Sequence, residues 1–265
     1  MHLFGLLTQL GTDADQVPSY HAATPRLAEV EPVELRIEDF DLDEEFAPIL
    51  WLLNRIDDDG IKLTQAGYLP PSIAREYAQV FHADLELRVF GRRSEADMRQ
   101  LAAHRRYLQK LGLLRVYRGR LKLTKAGARA RQDPRALWDH LVDRFAALIA
   151  LPERDREAAQ RGEALYEQNF DRDVTALTLL AAATSFGDLD IDLIIDQLNA
   201  VGWHHVGPDG VATPVHIMDV TWGNACPAVL FWFMGPREER RWGRSRIRPA
   251  AVALAHAALM RGLGG

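Results

Sequence analysis

Apolar positions along this chain repeat mostly at helical intervals, broken by acidic, glycine and proline clusters. Residues 1–42 are the exception: acids alternate with Pro, Val and Leu and no period is sustained, which predicts an extended arm with one strand at Val33 to Ile37. From Glu44 to Ile56, Phe46, Ile49, Leu50, Leu53 and Ile56 fall on one helix face, with Asp43 placed as N-cap and Asp57-Asp58-Asp59-Gly60 closing the helix. A second helix is predicted from Ser72 to Phe81, after Pro70-Pro71. Asp133-Pro134 has the form of an N-cap followed by proline at the first helical position, and Leu137, Leu141, Phe145 and Leu148 carry that helix to about Ala150. Pro152 opens a charged helix to Gln168, Asp171 opens one with Val174, Leu177, Leu180 and Ala181 on its apolar face, and another is predicted from Leu189 to Val201. Beyond Trp203 the period weakens, leaving a turn around Gly207-Pro208-Asp209-Gly210 and a short buried element at Val229 to Met234.

The most informative stretch is Ser94 to Gly127. Ser94 and Asp97 have the S-x-x-D spacing of a capping box. At 100° per residue, Met98, Leu101, Leu108 and Leu111 share one face. Arg99, Ala103, Arg106 and Lys110 share the opposite one, with Gln100 and Gln109 flanking it and Arg105 along the core edge with its head in water. Gly112 stands where a left-handed residue ends a helix. Leu113 to Tyr117 and Arg120 to Leu123 are predicted strands around a tight Arg118-Gly119 turn, after which Thr124 begins another helix. Helix, hairpin and helix start, in that order, make a winged-helix module.

A heptapeptide recurs 60 residues apart: Lys62, Leu63, Thr64, Ala66 and Gly67 match Lys122, Leu123, Thr124, Ala126 and Gly127. A strand that ends in a helix-capping Thr would account for both copies. Arg246-Ile247-Arg248-Pro249, running into AAVALAHAALMRG, has the same strand-into-helix form with Pro in place of Thr, and is read as a degenerate third copy. The expected fold is therefore mostly α with short β-hairpins, as two to three winged-helix-like units joined by a helical linker. The expected divisions are an acidic arm at 1–42, a partial first unit at 43–92, a basic unit at 93–150, and a linker with the degenerate unit at 151–265.

The 265 residues carry a net charge of −5, distributed unevenly. From Arg92 to Arg131 thirteen Lys or Arg face only Glu95 and Asp97, whereas from Asp13 to Asp59 fourteen acids face only Arg26, Arg36 and Arg55. A segment of net +11 and one of net −11 say more than the total. No apolar run reaches the ~18 residues of a membrane span, and MHLFGLLTQL lacks the basic start and cleavage site of a signal peptide. The single cysteine, Cys226, is read as a buried side chain; with no internal disulfide open to the chain, a reducing, cytoplasmic location is expected.

The string LQKLGLLRVYRGRLKLTKAGARA resembles the helix-to-wing segment of multiple-antibiotic-resistance-type winged-helix regulators, in which a Leu-rich helix ends in GL, passes a wing and resumes at LT-x-x-G. More broadly, KLTQAGYLPPSIAR, RRSEADMRQL and LGLL…GRLKLTKAG…DPRALWDHL, from Ile61 to His140, are similar to an uncharacterised helical module. That module occurs as a tail on Ri-plasmid passenger-type proteins and as free-standing bacterial proteins. No β-rich passenger domain is recognisable in this chain. The resemblance implies a fold and no reaction.

Phosphate binding needs exposed cations, and base reading needs side chains that reach groove edges. The residues expected to supply them are Arg99, Arg106 and Lys110 on the helix and Arg118, Arg120 and Lys122 on the wing. A solvated polar face opposite a Leu seam is the bland alternative. LELRVFGRRS before Ser94 reads as strand and loop, unlike the leading helix of a standard helix-turn-helix. Catalytic, metal and cofactor sites are not expected. His204-His205 are adjacent, His140 and Asp143 form a surface-type i, i+3 pair, and no P-loop, zinc or nucleophile-elbow motif occurs. The aromatics of the C-terminal third, Trp203, Trp222, Phe231, Trp232, Phe233 and Trp242, are read as core, with a self-association patch as the alternative. The acidic arm is a solvated tail, a cover for the basic helix or a partner site. The expected function is DNA binding without catalysis, in the manner of a regulator. The alternative is a protein-interaction scaffold in which winged helices are only the folding unit.

Overall fold

A computed structural model describes residues 37–81, 94–150, 170–184, 188–200, 204–206, 212–216, 220, 226, 229–230 and 244–263. The fold is mostly α with short β-hairpins, as the periodicity predicts. By their contacts the described residues fall into two compact units, Asp41–His140 and a second that includes the C-terminal helices.

The first unit begins with α1 (Leu42–Glu45) and α2 (Ala47–Asn54). The cap is Asp41 rather than Asp43: its Oδ1 accepts from the Asp43 and Glu44 amides at 3.1 and 3.3 Å. The single helix expected over 44–56 is divided at Phe46, and Pro48 then restarts it within its first turn, where a missing N–H costs nothing. Phe46, Ile49, Leu50, Leu53 and Ile56 are all buried, on the face their spacing predicts. α3 spans Pro71–Val80 and α4 Arg99–Lys110. The capping box at Ser94 does not form. Its hydroxyl donates to Asp97 Oδ2 at 2.7 Å across a 3₁₀ turn at Glu95–Asp97, and α4 starts only after Met98.

Three strands, β1 (Ile61–Lys62), β2 (Leu114–Tyr117) and β3 (Arg120–Leu123), form an antiparallel sheet in the order β1-β3-β2. α4 ends in a Schellman arrangement: Gly112 at φ 76° donates to Gln109 O, and the Leu113 amide reaches back to Leu108 O at 2.9 Å. The hairpin closes through Arg118 and Gly119, both at positive φ, the signature of a two-residue type I′ turn. Helix α5 (Lys125–Gln132) follows, capped by Thr124, and α6 (Pro134–Ile149) follows with Asp133 Oδ1 accepting from the Arg135 amide.

The two heptapeptide copies do not found two separate units. Ile61 pairs with Leu121 and Lys62 with Arg120, so the strand of one copy is laid antiparallel on the strand of the other, within one sheet. Their shared glycines serve different ends. Gly67 has φ 81° with open space around it, and closes a turn in which Thr64 Oγ1 accepts from the Tyr68 amide. Gly127 is helical, and a Cβ there would stand 2.1 Å from Leu113 O, because the start of α5 lies directly on the chain leaving α4. Gly127→Ala is thus expected to destabilise through overpacking by about 1–3 kcal/mol. Gly67→Ala bears only the left-handed penalty of about 1–2 kcal/mol. Urea unfolding of the two variants, with a larger loss for Gly127→Ala, checks the distinction.

The second unit centres on α7 (Phe170–Thr184) packed against α9 (Pro249–Leu263), where Ala176, Ala181, Ala182, Ala250, Ala251, Ala255 and Ala258 are buried. Small side chains let two helix backbones approach closely. Within this unit Gly262 meets α6 so tightly that a Cβ would lie 2.6 Å from Ile149 Cγ1. Leu189, expected in a helix, belongs to strand β4 (Asp188–Asp190), and α8 (Ile191–Ala200) starts after it. β5 (His204–Val206) and β6 (Ala212–Pro214) pair antiparallel, while the turn expected at 207–210 lies outside the described residues. β7 (Arg244–Arg246) leads into α9 as the third-copy reading predicts, but its partner is β4. The strand expected at 33–37, the charged helix after Pro152 and the 85–93 segment fall wholly or largely outside the described residues.

Candidate nucleic-acid interface

Helix α4 carries the expected Leu seam, with Met98, Leu101, Leu108 and Leu111 all buried. Its opposite face is narrower than the sequence suggests. Ala103, His104 and Tyr107 are also buried, so the covered arc extends well beyond the leucines. What remains open is centred on Ala102, Arg106 and Gln109 rather than on Ala103, with Arg106 and Lys110 exposed. The cause is residue type: His and Tyr count as polar in a hydrophobic pattern, yet His104 and Tyr107 are both buried, His104 with its ring 5.9 Å from that of Tyr77. Burial lowers the His104 pKa to about 3. It raises that of Tyr107 to about 12, against the opposing charge of Arg106. Arg99 occupies the first position of α4.

Arg105 is not the snorkelling residue it was expected to be. Its Nε donates to Glu95 Oε1 at 2.6 Å, and Glu95 is fully buried. The second carboxylate oxygen accepts from the Leu69 amide, so one acid joins α4 to the chain entering α3. In the sequence pattern Glu95 figures only as a charge.

The three cations of the β2–β3 hairpin divide. Arg118 is exposed at the turn, in the left-handed region at φ 49°, with its guanidinium 5.1 Å from the Tyr117 ring centroid. Arg120 Nη1 donates to Gly60 O at 2.9 Å, and Lys122 Nζ to Asp58 O at 3.2 Å. Both heads are therefore tied to the acidic turn that ends the first helical segment. This turn lies against β3 because Gly60 has no side chain: at φ 77°, a Cβ would fall 2.5 Å from Leu121 O. Of the six expected contact residues, Arg106, Lys110 and Arg118 present exposed side chains, while Arg120 and Lys122 are half-buried and internally bonded.

Cross-strand register also builds a surface that periodicity alone did not reveal. Ile61, Leu121 and Leu114 lie on the inner face of the sheet, and alternation places Lys62, Arg120, Tyr117, Lys122 and Arg115 on the outer face. Arg115 is 5.9 Å from the Tyr117 ring centroid.

The other titratable candidates do not converge. His140 Nε2–H donates to Leu111 O at 2.7 Å, satisfying a carbonyl at the end of α4, while Asp143 pairs with Arg261. Cys226 is buried and its thiol is pushed well above the usual range by desolvation. Among the described residues no group of three or more His, Cys, Asp or Glu is placed to hold a metal, and no helix is long and apolar enough to cross a membrane. The fold and this surface define a mostly helical protein with a basic helix-and-sheet unit. Comparison with family models, curated proteins and solved structures finds no match.

Proposed function

We propose that the protein is a non-enzymatic, cytoplasmic DNA-binding protein of the winged-helix kind, acting as a regulator through the Asp41–His140 unit. The observation that carries this reading is the exposure of Arg106 and Lys110 on α4 together with Arg118 at the hairpin turn, in a segment of net +11. Phosphates are neutralised by such cations whatever the base sequence, which supplies affinity before specificity. The resemblance to winged-helix regulators points the same way. A scaffold role is favoured instead by the internal bonding of Arg120 and Lys122 and by the exposure of Val116 and Tyr117 at 46% and 49%.

Duplex titration at two salt concentrations separates the two. Each neutralised phosphate contributes about 0.9 to the slope of log K against log salt, so an Arg106→Ala/Lys110→Ala pair should flatten the slope by about 2. The variant should stay folded, because Ala has the best helical propensity and both positions are exposed. An unchanged slope and affinity would remove α4 from the interface and favour the scaffold.

A further inference from the structure

Two rows of side chains cross the outer face of the three-stranded sheet. One runs Lys62, Arg120, Tyr117; the other runs Gly60, Lys122, Arg115, with Gly60 leaving its place empty. Each row sets like charges directly opposite one another, Lys62 against Arg120 and Lys122 against Arg115, an arrangement that destabilises a sheet. Arg120 and Lys122 are partly offset by the carbonyls of Gly60 and Asp58. Among the described residues Lys62, Arg115 and Arg118 have no carboxylate partner. Tyr117 is 49% exposed, and the guanidinium carbons of Arg115 and Arg118 both lie within 6 Å of its ring centroid. Arg118 holds its place in a left-handed conformation that costs a non-glycine residue about 1–2 kcal/mol.

We infer that this sheet face binds a single-stranded nucleic-acid segment, with Tyr117 as the platform for one unpaired base and Arg115 and Arg118 on the flanking phosphates. Flat rings and guanidinium planes are surfaces on which bases stack, and cations along the track take the backbone. The strand must be unpaired, because in a duplex the face of each base is covered by its stacked neighbours. The path follows β2, since Asp58 and Asp59 lie at the β1 side and repel phosphate there. An acidic peptide would answer the charge but leave the flanked ring without use. The inference deepens the nucleic-acid reading above and rests on it for the electrostatic part, but it assigns the sheet face in place of α4, with Arg118 common to both, and a different form of the ligand.

The test is fluorescence anisotropy of the full chain with a labelled oligo-dT single strand, a duplex of equal length and a polyglutamate peptide, each at two salt concentrations. Tyr117→Ala should weaken single-strand binding roughly ten- to a hundredfold while keeping the salt slope, Tyr117→Phe should bind as wild type, and duplex binding should be indifferent to both. Arg115→Ala/Arg118→Ala should flatten the single-strand slope by about 1.4. Single-strand binding unaffected by Tyr117→Ala overturns the inference, as does polyglutamate binding as tightly as oligo-dT. If the duplex slope still responds to Arg106→Ala/Lys110→Ala in that case, the helix reading survives alone. If neither nucleic acid binds at low salt, both readings fall.

Discussion

Replacing Glu95 by Ala is expected to destabilise the Asp41–His140 unit by about 3–5 kcal/mol, the usual cost of removing one member of a buried ion pair. Glu95 is fully buried, and both of its oxygens are used, one by Arg105 Nε and the other by the Leu69 amide. The substitution therefore leaves an inward-facing amide without an acceptor, and an arginine whose side chain is only 16% exposed without its counter-charge. Urea unfolding should show a lower midpoint with an unchanged m-value, the sign of lost stability rather than a changed denatured state. Glu95→Ala/Arg105→Ala should lose less than the sum of the single changes, since the second removes the charge stranded by the first. A loss below about 1 kcal/mol in Glu95→Ala would mean that solvent reaches the pair and that it does not fasten α3 to α4.

That pair marks where sequence reading stops. Periodicity locates burial well where side chains are unambiguous: the leucines of α4, then Phe46, Ile49, Leu50, Leu53 and Ile56, and Leu137, Leu141 and Phe145 are buried as their spacing predicts, though Leu148 is only half-buried and Ile149 beside it is fully buried. It fails where a polar residue is buried by its partner. Nothing local distinguishes Glu95 from a surface acid, because the residues that satisfy it lie 10 and 26 positions away. The same holds for Ser94 and Asp97, whose capping-box spacing is real but whose hydroxyl and carboxylate bond each other instead of a helix end.

The candidate interface is legible to a similar degree. Turn chemistry foretold the hairpin, and with it the exposure of Arg118. Spacing could not foretell that β1 would pair with β3, since a two-residue strand separated by some sixty residues has no local signature. Yet that pairing decides the electrostatics: it brings the Asp57–Gly60 turn within reach of Arg120 and Lys122, and it completes the cationic face around Tyr117. The repeated heptapeptide was therefore a true signal of contact between its two copies, rather than of two units built alike.

Acidification supplies the other large effect, through His104. Its ring is fully buried, and burial depresses its pKa from 6.5 to about 3. Above pH 6.5 the imidazole is neutral in both folded and unfolded chains and adds no pH dependence. As the pH falls from 6.5 towards 3, the unfolded chain takes up a proton that the folded unit refuses. Stability then declines by about 1.36 kcal/mol per pH unit, close to 2 kcal/mol by pH 5, and the decline levels off below the folded pKa. Other groups titrate in the same range, so the measurement is a difference: urea midpoints of the wild type and His104→Gln at pH 7 and pH 5. The variant is expected to be weaker at pH 7, where it disturbs the packing against Tyr77, yet to lose less on going to pH 5. Equal losses in the two proteins would show that His104 is protonated as readily inside the fold as outside it, which would contradict a ring sealed between α3 and α4.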